Sequence, residues 1–145
     1  MVTVYEPIIG DISWIIFKDF ETIRNRFIDE FRLFDDGYPN DGIDYYTNDY
    51  ILLEVFTLND NQVTSISLLT DAKEGIGKYT LFGIYPGIPI SRAEEILKNE
   101  GYVGDDLYNN YYAKSGEIMY EKYNHVLLTV ENDCVDLVSY FDNWR

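Results

Sequence analysis

The chain has 145 residues, enough for one domain with a sizeable core and no need of covalent staples. Twenty-six acidic residues against eleven basic ones give a net charge of −15. That charge disfavours binding to nucleic acid or to anionic membranes, both of which are recognised through Lys and Arg, and favours attraction to basic partners. Hydrophobic residues make up 46%, too many for a disordered chain. The aromatic share is 17% with fourteen Tyr, a side chain suited to sheet surfaces and interfaces because its ring packs while its hydroxyl stays wet. Cys134 is the single cysteine, so no intramolecular disulfide can form. The N-terminal residues lack a basic stretch followed by an apolar one, and no apolar run approaches the span of a bilayer, which leads us to expect a cytoplasmic protein.

In chain order, the first expected helix follows Asp19. Phe20, Ile23, Phe27 and Phe31 recur at helical spacing, and Gly37 and Pro39 should end the helix before residue 35. Tyr50 to Leu58 and Gln62 to Leu69 then read as a hairpin, joined by Asn59-Asp60-Asn61, residue types that tolerate positive φ. Ile43 to Tyr46 is a shorter run expected to pair in front of it. Residues 70 to 78 connect to a strand-like stretch, Tyr79 to Tyr85, closed by Pro86-Gly87. A second helix is expected over about residues 91 to 100. Ser91 and Glu94 have capping-box spacing, and Gly101 has the freedom to leave the helix in a left-handed conformation. Glu117 to Tyr123, His125 to Glu131 and Cys134 to Phe141 are β-rich, with Asn132-Asp133 as a turn.

The two halves look alike. Residues 51–55 (Ile-Leu-Leu-Glu-Val) align with 126–130 (Val-Leu-Leu-Thr-Val), Asn59-Asp60 with Asn132-Asp133, and 63–67 with 135–139. The expected fold class is α+β: two tandem helix-then-antiparallel-hairpin units, about residues 10–70 and 79–145, sharing one sheet with both helices on one face. One such unit, of about 60 residues, buries little surface and is marginal alone, whereas two sharing a sheet bury a common core.

The segment from Leu81 to Leu97 runs from a strand through a Gly-containing turn, Tyr85-Pro86-Gly87, into a helix that opens with Ser91. It resembles a motif of small bacterial α/β repeat proteins, the β-lactamase-inhibitor-protein-like fold and the outer-membrane assembly lipoproteins of the SmpA/OmlA type. The resemblance implies tandem helix-and-sheet units whose open sheet binds another protein. It carries over no functional residue.

The usual catalytic sets are missing from the sequence. The single histidine, His125, and Cys134 lie on adjacent strand-like runs with no residue to orient a base, and together they cannot supply a Cys/His zinc set. The acidic loop Asp35 to Asp44 departs from the ligand spacing of an EF-hand, and Gly75-Ile76-Gly77-Lys78 departs from a phosphate-binding loop. No enzymatic activity, cofactor or metal is therefore expected. The expected function is an acidic protein-binding or inhibitory protein, for instance an immunity protein neutralising a basic toxin. The expected contacts are Tyr45, Tyr46, Asp105, Asp106, Tyr108, Tyr111 and Tyr112. Two alternatives stay open: a structural or self-associating module, including a homodimer, and a hydrolase working through paired carboxylates such as Glu94-Glu95.

Overall fold

The computed structural model describes residues 6–34, 37, 42–58, 60–69, 77–104, 111–114 and 124–142. The expected strand at Glu117 to Tyr123 lies outside them. Among the described residues the fold is α+β and dominated by one antiparallel sheet of eight strands, in the order β2-β3-β4-β5-β10-β9-β8-β7. Its members are β2 (Arg32–Phe34), β3 (Ile43–Thr47), β4 (Ile51–Phe56), β5 (Gln62–Leu68), β7 (Tyr102–Gly104), β8 (Tyr111–Lys114), β9 (Asn124–Glu131) and β10 (Cys134–Asp142). A two-stranded parallel pair stands apart, formed by β1 (Gly10–Asp11) and β6 (Tyr79–Thr80).

One row of paired residues crosses the sheet from β3 to β9: Tyr46, Leu53, Ile66, Tyr140 and Val126. The last four are buried, and Phe20 lies on Tyr46 with ring centroids 4.3 Å apart, while Phe82 meets Tyr140 at 4.9 Å. The helices and the β1–β6 pair therefore cover this face. Their fully buried residues, among them Ile12, Ile15, Phe20, Leu81, Ile84, Ala93 and Leu97, merge with the sheet residues into one core.

The second helix, α2 (Ile90–Asn99), forms where expected and ends at Gly101, whose φ is +91°. Its start differs in detail. Pro89 occupies the N-cap position without a side-chain hydrogen bond, so the Ser91–Glu94 capping box is not what opens the helix. The Ile90 N–H is instead satisfied by the Asp133 carbonyl at 2.9 Å, a tertiary contact.

The first helix is a correction. Only Phe20–Ile23 is α-helical (α1), with Asp19 capping it through the Glu21 N–H; a single 3-10 turn, Arg24–Arg26, follows. Phe27 is already extended (φ −73°, ψ 144°), and Arg32–Phe34 is the edge strand β2. Thr22, Ile23, Asn25, Phe27 and Ile28 are weak helix formers, so a competing backbone arrangement has little propensity to overcome. That competitor is the chain at Ile8, whose N–H donates to the Arg26 carbonyl and which bridges Phe27. Phe20, Phe27 and Phe31 still reach the core, meeting edge-on at 5.6 Å (Phe20–Phe31) and 4.7 Å (Phe27–Phe31). The helical spacing reported burial correctly and backbone conformation wrongly.

Both hairpins lie where the sequence places them, and their turns carry positive φ at Asp60 and Asn61 and at Asn132 and Asp133. The positive-φ pair in the first turn is Asp60-Asn61, one residue later than the Asn59-Asp60 that the sequence sets against Asn132-Asp133. Each hairpin also has an irregularity: the pairing skips Thr64 in β5 and Asp136 in β10.

A candidate binding face on the sheet

The other face of the sheet presents the alternate residues. One row runs Thr47, Leu52, Ser67, Ser139, Leu127 from β3 to β9. The neighbouring row runs Tyr45, Glu54, Ser65, Phe141, His125. In a strand, residues of opposite parity point to opposite faces, so neither row can join the core described above. All members except Glu54 and His125 are half-buried, as expected of side chains standing on a sheet surface beside their neighbours. At the centre the Ser67 and Ser139 hydroxyls hydrogen-bond at 2.8 Å, with Leu52 on one side and Leu127 on the other.

Two ionisable residues on this face are buried more deeply. Glu54 is 8% exposed and His125 is 0% exposed, with the His125 ring stacked on Phe141 at 6.1 Å. They are separated in the row by Ser65 and Phe141 and so do not form an acid–base pair with each other. Cys134 pairs with Glu131 at the turn end of the β9–β10 hairpin, while His125 pairs with Phe141 at the far end. This register removes the Cys134–His125 couple considered from the sequence. Exposed acids stand at the hairpin tips: Asp60 beside one, Glu131 and Asp133 at the other. Among the described residues, no group of three or more His, Cys, Asp and Glu could hold a metal ion. Among the same residues, no helix is long and apolar enough to cross a membrane.

Of the contacts expected from sequence, Tyr45 lies on this face, opposite Glu54 on β4 and Phe34 on β2. Tyr46 lies on the other face, packed on Phe20 with the Arg24 guanidinium 5.4 Å from its ring centroid. Burial raises the Tyr46 hydroxyl pKa, and Asp44 adds to the rise. Tyr111 and Tyr112 belong to β8, at positions opposite Leu127 and Val126. Asp105, Asp106 and Tyr108 lie outside the described residues. Leu52, Leu127, Ser67 and Ser139 are not marked as contacts by residue type or charge. Their signal was strand alternation, which separates two faces without saying which one the helices cover.

Compared with known proteins, the chain matches no family model, no curated protein and no solved structure.

Proposed function

We propose that this chain is an acidic protein-binding or inhibitory protein, for example an immunity protein that neutralises a basic toxin in the cytoplasm, and not an enzyme. The observation that carries the reading is the sheet face opposite the helices, where Tyr45, Leu52, Leu127 and Phe141 remain half-buried around the Ser67–Ser139 centre. Apolar and aromatic side chains interspersed with hydroxyls, with exposed acids at the hairpin tips, match the mixed character of protein interfaces. The acids at both hairpin tips and the net charge of −15 favour a basic partner and would speed encounter with it. The test is affinity capture from lysate of the native host, at low and at moderate salt, with the unaltered chain and with Leu52→Glu. We expect a basic protein that is retained at low salt, weakened by salt and lost with Leu52→Glu. Recovery of no basic protein at low salt, or equal retention by Leu52→Glu, would overturn the reading.

The tandem-unit organisation belongs to the same proposal. Supporting it, the residue before each helix segment enters the sheet in the same way. Phe17 N–H donates to the Val63 carbonyl as Gly87 N–H does to Val135, and Val63 N–H donates to Lys18 as Val135 N–H does to Ile88. Phe20 N–H donates to Asn61 as Ile90 N–H does to Asp133. Both hairpins share the positive-φ turn pair and the skipped residue two positions after the last strand begins. Ser67 and Ser139 would be equivalent residues meeting on the axis that relates the two units. On this reading the resemblance to the inhibitor-protein-like fold extends to the whole chain, and the shared sheet face is the binding face.

A second reading, self-association, is favoured by the edge strand β2, where Leu33 is 64% and Phe34 52% exposed. Exposed apolar residues on an edge strand are a template for pairing with another chain. Sedimentation velocity over a range of concentrations should then show a dimer that Leu33→Lys together with Phe34→Lys removes. A single monomer species at every concentration would rule it out.

A further inference from the structure

We draw no further inference here: the strongest candidate, the sheet face centred on the Ser67–Ser139 pair, belongs to the site already described, and nothing among the described residues shows what covers it.

Discussion

Asn48 is buried although polar, because its side chain closes the turn between β3 and β4. Its Oδ1 accepts from the N–H groups of Tyr50 and Ile51, both at 2.8 Å. Asn48→Ala leaves those two donors without their acceptor and should cost about 2 kcal/mol, read as a lower urea midpoint with an unchanged m-value. A second residue-scale junction ties Asp29 to the start of β6. The Asp29 carboxylate accepts from the Tyr79 hydroxyl at 3.0 Å and pairs with the Lys78 ammonium at 2.7 Å, while that ammonium lies 4.6 Å from the Tyr50 ring centroid. Burial first, and the Asp29 hydrogen bond and charge second, push the Tyr79 hydroxyl pKa well up. A raised pKa means the folded state resists ionisation more than the unfolded chain does. The associated stability is therefore complete below the unfolded value of about 10 and declines as pH rises above it. Urea unfolding between pH 8 and 11 should show this loss, and Tyr79→Phe should reduce its slope while lowering stability at pH 8 by about 1–2 kcal/mol. An identical slope in the variant would assign the alkaline loss to other groups.

Element by element, the hairpin turns and the chain entry at Phe17 store backbone strain. Asn132 and Asp133 both have positive φ, the geometry of the two-residue hairpin turn that favours Asn-Gly. Asp133→Gly should stabilise the chain by about 0.5 kcal/mol, since only the carbonyl of that residue holds Ile90. Asp133→Val, β-branched at positive φ, should destabilise it by more than about 1 kcal/mol. Phe17 is a bulky residue at φ +66°, held there by its N–H bond to Val63, while Gly87, which also donates to a strand carbonyl, that of Val135, has positive φ without strain. Phe17→Gly should therefore be neutral or stabilising in thermal unfolding, despite the loss of an aromatic ring. A large drop in the midpoint would show that the half-exposed ring contributes more packing than the strain costs. The elements themselves were legible to different degrees. Both hairpins and α2 could be read from alternation, turn residues and Gly101. The edge strand β2 could not, because Arg32, Leu33 and Phe34 are all exposed and carry no alternation to read.

For the whole molecule, the decisive arrangement is β5 against β10. That antiparallel seam turns two four-stranded halves into one sheet, with one face in the core and one outside it. Phe20, fully buried under Tyr46 and Phe31, ties the covered face together, and Phe20→Ala should cost about 3–5 kcal/mol. Substitutions on the other face should behave oppositely. Leu127→Glu, like Leu52→Glu, should leave the unfolding midpoint within a few degrees of the original while weakening partner capture by tenfold or more. A fall in the midpoint comparable to that of Phe20→Ala would mean that Leu127 serves the fold. Of the candidate site the sequence marked Tyr45 and, by its register opposite Leu127, Tyr111, because it singles out aromatic and acidic residues but not the seam that brings Leu52, Ser67, Ser139 and Leu127 into one row.

The sequence by itself determined the class of the fold, the two hairpins with their positive-φ turns, the second helix and the net charge of −15. These are local or summed properties: alternation, turn chemistry and charge do not depend on what a segment packs against. Tertiary structure decided that the residues after Ile23 leave the helix, that Asp133 rather than Ser91 satisfies the start of α2, and which side of each strand is covered. Each of these outcomes depends on a distant partner, Ile8 for Arg26, Asp133 for Ile90 and Phe20 for Tyr46. A periodic pattern reports that a residue will be buried, and the backbone takes whichever conformation also satisfies its hydrogen bonds.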